Sequence, residues 1–291
     1  MTSKMNKLFP LISLLFICTV GATYIRITTD VTVPSMMDGN CTDMNITLIN
    51  SGDETAYDVG LSFITPDGIS SEDFFVGNLI PNVPFNSTVY VNLSDNMTPG
   101  RYNVAIITDY RDANNYPFSA ISVKPVMVKR STISKLSCII SVLTIAGNGN
   151  GDLKLVVRNL DNVPHNVRIR LFLPRELKID NNEVRIELKP KDSKELKFRV
   201  ENLAALPGSS YFVFASLDYE EGALHYSSVG TGIIKIVEEG SIQDSGAGIQ
   251  LDPLFLFLVF IFIILLVIYL FFKFTKGDDE KEDFSSNTNT E

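Results

Sequence analysis

Side chains able to do chemistry are sparse in this sequence. It contains two histidines, His165 and His225, each in a turn or at a strand edge, with no second ligand at metal-binding spacing. C-x-x-C and H-E-x-x-H runs are absent, and no glycine-rich loop opens a helix, so zinc, redox and nucleotide chemistry lack their usual donors. The stretch GNGNGD from Gly147 to Asp152 joins two strands and reads as a hairpin turn, not a phosphate cradle. No serine is marked as activated by a neighbouring base. The sequence therefore reads as a protein that is not an enzyme and needs no cofactor.

One group of oxygens could hold an ion. Asp109, Asp112, Asn114 and Asn115 lie in the hairpin after the strand PGRYNVAIITDY, where they could converge on Ca²⁺. Asp and Asn are also the residues that tight turns prefer. The second half carries Asp218, Glu220 and Glu221 at the matching place. A different chemistry, glycan attachment, is offered by N-x-S/T sequons at Asn40, Asn45, Asn86, Asn92 and Asn96. All of them precede residue 100.

Antiparallel strands must position these residues. Met44, Ile46 and Leu48 alternate with Asn45 and Thr47; Val59, Leu61 and Phe63 alternate with Asp58, Gly60 and Ser62; Val89, Val91 and Leu93 alternate with Tyr90 and Asn92. Successive strand side chains point to opposite faces, so the apolar set faces a core and the sequon asparagines face water. The order then recurs. Val59, Leu61, Phe63 and Pro66 match Val167, Ile169, Leu171 and Pro174 at a spacing of 108, and Val89, Val91 and Leu93 match Leu196, Phe198 and Val200 at 107. Pro99-Gly100 matches Pro207-Gly208, and Asp109-Tyr110 matches Asp218-Tyr219. These spacings imply two copies of one module of about 105 residues, each an antiparallel sandwich. The expected modules are 23–127 and 128–238, with the boundary near Val126 to Thr132.

A strand ending in N-x-G-D or N-x-D, an apolar alternation ending in proline, then P-G-x-Y-x-V with a later D-Y, resembles the Ig-like domains of archaeal and bacterial surface proteins of the CARDB and S-layer-associated type. That resemblance covers about 210 residues, both halves of the exported region. It implies a surface-displayed adhesion, spacer or accessory module without catalytic residues.

The two ends set the compartment. Residues 1–22 place Lys4 and Lys7 before an apolar run and end in Val20-Gly21-Ala22, the pattern of a cleaved signal peptide. Leu254 to Phe272 carries no charge and suits one transmembrane helix over 253–272. Lys273 and Lys276 follow it and Glu238, Glu239, Asp244 and Asp252 precede it, which puts the tail 273–291 in the cytoplasm. A flexible linker of 239–252 separates that helix from the second module. The expected fold class is thus all-β: two tandem Ig-like sandwiches plus one C-terminal transmembrane helix. The expected localisation is a type I, single-pass cell membrane protein with its N-terminus outside, or in the endoplasmic reticulum lumen of a eukaryote.

Charge narrows the partners. Residues 23–127 hold four Lys/Arg against twelve Asp/Glu, while 128–240 hold sixteen against fourteen. An acidic first module discourages nucleic acid and favours a cationic partner. Arg168 with Arg170, the set Arg185, Glu187 and Lys189, and Lys197 with Arg199 could form a docking surface or a solvated face laced with ion pairs. A protein or surface polymer outside the membrane is one class of partner, and a membrane complex such as an exporter or translocon is the other. Cys41 and Cys138 could be bridged between modules or remain free thiols.

Overall fold

The computed structural model describes residues 24–240 and 257–268. The signal peptide at 1–22, most of the linker and the tail 273–291 lie outside the described residues.

The first module comprises β1 (Ile27–Thr32), β2 (Cys41–Asn50), β3 (Ala56–Ile64), β4 (Ile69–Ser71), β5 (Phe74–Leu79), β6 (Phe85–Leu93), β7 (Gly100–Arg111) and β8 (Pro117–Val128). The second comprises β9 (Leu136–Ile140), β10 (Leu143–Ala146), β11 (Asn150–Asn159), β12 (His165–Phe172), β13 (Leu177–Ile179), β14 (Glu183–Leu188), β15 (Ser193–Asn202), β16 (Ser210–Glu221) and β17 (Leu224–Val237). In the first, β1-β2-β6-β4 packs over β5-β3-β7-β8; in the second, β13-β15-β11-β9 packs over β14-β12-β16-β17 with β10 beside β17.

The repeat extends to packing. Along β2 and β11 the sequence of buried and exposed positions is identical, with Met44, Ile46 and Leu48 buried as are Leu153, Leu155 and Val157. Each set joins its own core, which Tyr102, Val104 and Ile106 complete in one module and Tyr211, Val213 and Ala215 in the other.

The repeat does not disclose that the two sandwiches are fused. β17 meets β7 in parallel through the pair His225 and Gly100, so the second sheet of each module merges into one nine-stranded sheet. The fusion explains why YNVAIIT does not alternate. Tyr102, Val104 and Ile106 face their own core, while Ala105 and Ile107, with Ile121 of β8, pack on Phe172 across the seam. A strand covered on both faces has no reason to carry polar residues at every second position.

The C-terminal segment is helical over 257–268, with apolar side chains. Among the described residues no helix is long and apolar enough to cross a membrane. Residues 253–256 and 269–272 of the expected span lie outside the described residues, and 257–268 is helical as the sequence suggests.

Candidate functional site

The seam between the modules gathers the polar chemistry of the chain. At its centre Asn103, on β7, reaches across to donate from Nδ2 to Ser216 Oγ at 2.8 Å and to the Ser228 carbonyl at 3.1 Å. Ser216 Oγ in turn donates to Asp218 Oδ2 at 2.8 Å. Asn103 Oδ1 and Ser227 Oγ are buried here with no protein partner.

One end of the seam is closed by the segment between β12 and β13. Arg175 Nε lies 2.7 Å from Asp109 Oδ1, and its Nη2 donates to Ser62 Oγ at 3.2 Å. Glu176, almost fully buried, accepts from the Ser119 backbone N–H and, at 2.6 Å, from Ser119 Oγ. Ser119 Oγ also accepts from the Arg175 N–H at 2.8 Å, and Tyr116 donates to the Ala204 carbonyl at 2.5 Å. Burial raises the Glu176 carboxyl above its ordinary value, against the opposing pull of Ser119.

A pH dependence follows. With a folded pKa above the unfolded one, the native protein retains a proton that the unfolded chain has released. This contribution is complete below the unfolded value and is lost as pH rises through the folded one. Glu176→Gln keeps the shape and an acceptor but cannot ionise. Urea unfolding of the variant should therefore lose less stability than the wild type as pH rises above the ordinary carboxyl value of 4.5; identical slopes would rule the mechanism out.

The other end stays open. The His225 N–H donates to the Pro99 carbonyl at 2.9 Å, and the His225 carbonyl accepts from Thr132 Oγ1 at 2.9 Å, itself bonded to the Arg101 N–H at 3.0 Å. The His225 ring stacks on Tyr102 with centroids 4.0 Å apart and planes 4° from parallel. Its Nε2 is buried without a hydrogen-bond partner, 3.6 Å from Asp218 Oδ1. Beside it opens a cleft of about 890 Å³, walled by Asp67, Thr98 and Tyr102 of the first module and by Arg168, Asp218 and His225 of the second.

The expected sites are placed as follows. Asp109 is held by Arg175, away from the hairpin tip. Asp112 Oδ1 accepts from the N–H groups of Asn114, at 2.9 Å, and Tyr116, at 2.7 Å. Asn115 uses its carbonyl and its Oδ1 to accept from Arg111. These oxygens thus close a turn, and Asp109 does not join them. The sequon residues Asn40, Asn45, Asn86, Asn92 and Asn96 are all exposed. Two of them interlock: Thr88 Oγ1 donates to Asn45 Oδ1 at 2.8 Å and Thr47 Oγ1 to Asn86 Oδ1 at 2.7 Å, each threonine being the hydroxyl residue of the other sequon. Cys41 is exposed and Cys138 half-buried, both free, with burial pushing the Cys138 thiol up to about 12.

Sequence spacing missed the surroundings of His165. Asp161, four residues earlier, and Glu221, from the distant end of β16, bring ligand atoms within 4.8 Å of one another and of its ring. Lys135 Nζ, however, sits 3.0 Å from both Asp161 oxygens, and that hydrogen bond holds the carboxyl below its ordinary value. The ammonium thus already engages both oxygens of that carboxylate. Only Asp161 could have been found from the sequence, as an i, i+4 neighbour; Glu221 and Lys135 converge through the fold.

No known protein family matches the chain, and no curated protein matches it. Among solved structures it is similar to a Salmonella alpha-2-macroglobulin, 14% identical with a TM-score of 0.31, over 75% of this chain and 17% of that one. A protein of unknown function from Porphyromonas gingivalis is 12% identical with a TM-score of 0.29, over 71% of this chain and 98% of that one. A type I cohesin from Pseudobacteroides cellulosolvens is 8% identical with a TM-score of 0.27, over 38% of this chain and 97% of that one. The chain therefore spans only a small part of the macroglobulin's length.

Proposed function

We propose that this chain is a non-enzymatic, exported and membrane-anchored protein whose two modules, of the CARDB or S-layer-associated kind, are displayed for protein binding, adhesion or envelope assembly. The observation that carries the reading is the fused seam. Two sandwiches joined through Arg175, Glu176 and Asn103 in one compact unit present a single binding surface, which lowers the cost of ordering the modules on binding. The exposed sequon asparagines and the charge asymmetry around 253–272 support the outward orientation.

Protease added to intact cells should degrade 24–240 and spare the tail. A glycosidase should shift the mobility of the full chain, with Asn45→Gln and Asn86→Gln each reducing the shift. Because the two sequons share one hydrogen-bonded ladder, one glycan should crowd the other, and either substitution should raise occupancy at the remaining asparagine. Modules resistant to external protease, with the tail trimmed instead, would overturn the reading.

A second reading, an accessory subunit of an exporter or translocon, is favoured by one observation. The helix at 257–268 exposes a continuous surface of Phe, Leu, Ile and Val that suits a partner helix. Blue native electrophoresis separates the two readings: a discrete large complex, lost when that helix is replaced by a poly-leucine segment, selects the second.

A further inference from the structure

The two ends of the seam are equivalent positions of the repeat, yet only one is filled. Asp109 pairs with Ser119 in the ladder of β7 and β8, as Asp218 pairs with Ser227 in that of β16 and β17. The ring stacks beside them also correspond, Tyr110 on Phe118 and Tyr219 on Tyr226. Across the seam Ile64 and Phe172, 108 residues apart, pack in the same apolar cluster. By the same spacing Arg175 and Glu176 correspond to Asp67 and Gly68.

The chemistry at the two ends is therefore complementary. At the closed end a guanidinium sits on Asp109 and a carboxylate on Ser119. At the open end the equivalent of the arginine is an exposed aspartate, the equivalent of the glutamate has no side chain, and Ser227 Oγ is buried without a partner. Asp218 forms no ion pair with Arg168 or Arg185, among the described residues, and the His225 ring lies 3.6 Å from its Oδ1. The cleft lies where the missing pair would be, with His225 Nε2 unpartnered on its wall. Its carboxylates Asp67, Glu187, Asp218 and Glu220 outnumber the guanidiniums Arg168 and Arg185.

We propose that this cleft is a recognition site for an arginine side chain of a protein partner, whose guanidinium docks on Asp218 as Arg175 docks on Asp109. The proposal rests on the reading that the modules are displayed for protein binding, and it names the chemistry that such a partner must bring. A planar guanidinium suits the site because it can bond the carboxylate through one N–H while its other donors reach neighbouring oxygens, as Arg175 does with Asp109 and Ser62, and lie against the Tyr102 and His225 edge, which a lysine ammonium cannot do.

The test uses the full chain in detergent micelles and the probe acetyl-Gly-Arg-Gly-amide, titrated by calorimetry beside its lysine, citrulline and glutamate counterparts. The arginine peptide should bind saturably and at least about tenfold more tightly than the isosteric but uncharged citrulline peptide. Asp218→Asn should lower that affinity by about tenfold or more. Asp67→Arg, on an exposed turn that tolerates the change, should supply the guanidinium from the chain itself, abolish peptide binding and raise the melting temperature. Equal binding of arginine and citrulline peptides, preference for glutamate, retained binding in Asp67→Arg or no saturable heat would each overturn the proposal. Protease protection on intact cells is read separately, so failure here leaves the display reading standing.

Discussion

Replacing Gly100 with alanine should force the two modules apart. Gly100 has a φ of +153°, and a Cβ at that position would lie 2.0 Å from the His225 carbonyl oxygen, 2.7 Å from its carbon and 2.8 Å from its nitrogen. All three are backbone atoms of β17, so no side-chain rotation relieves the clash. The strand junction would have to open, taking with it the Tyr102 and His225 stack and the Thr132 bridge. A loss of about 3 kcal/mol or more is expected in denaturant unfolding, together with faster cleavage of the connection at 129–135 and an increase in radius by small-angle scattering. Gly208→Ala is the control. It too has a positive φ, +87°, but nothing lies within 4 Å of its Cβ, so only the backbone cost of about 1 kcal/mol applies. If both variants lose the same small amount, the close approach of β7 and β17 does not hold the modules together.

The same seam marks the limit of what the sequence discloses. Alternation along MNITLIN and DLKLVVRN places the inward and outward faces of β2 and β11 residue by residue, because one face of each strand meets water. On β7 that logic fails: Ala105 and Ile107 are apolar because another module covers them, and nothing local distinguishes that cover from a core. Likewise Arg175 and Glu176 read as ordinary turn residues. Their partners Asp109 and Ser119 lie more than fifty residues away, and charge complementarity at that separation leaves no periodic trace. In the acidic hairpin the tertiary contacts are equally hidden. Asp109, Asp112 and Asn114 are close in sequence, which suggests a shared ligand, yet strand pairing turns Asp109 toward Arg175 while Asp112 caps its own turn.

The asparagine that ends β2 and β11 was visible as a motif, and its role predicts the second large effect. Asn159 is buried and uses every polar atom of its side chain. Its Nδ2 donates to the carbonyls of Val163 at 2.8 Å, Lys189 at 3.0 Å and Leu188 at 3.4 Å, and its Oδ1 accepts from the Asp161 N–H at 2.8 Å. Asn50 does the same for the carbonyls of Glu54, at 2.6 Å, and Leu79, at 3.3 Å, and for the Gly52 N–H at 3.0 Å. One side chain thus ties the turn after its own strand to the strand leading into the opposite edge, which explains why the motif recurs at the same place in both modules. Alanine there strands two carbonyls and an N–H in a dry interior, each costing about 1–3 kcal/mol, so Asn159→Ala should lose about 3 kcal/mol in denaturant unfolding. Asn50→Ala should match it closely. Asn159→Asp tests the donor separately: it keeps the acceptor for Asp161 but sets a carboxylate against the Val163 and Lys189 carbonyls, and it should be at least as damaging as alanine near neutral pH and recover on acidification. If Asn159→Ala unfolds within about 0.5 kcal/mol of the wild type, the turn is held by its backbone alone and the repeated asparagine is a coincidence of turn composition.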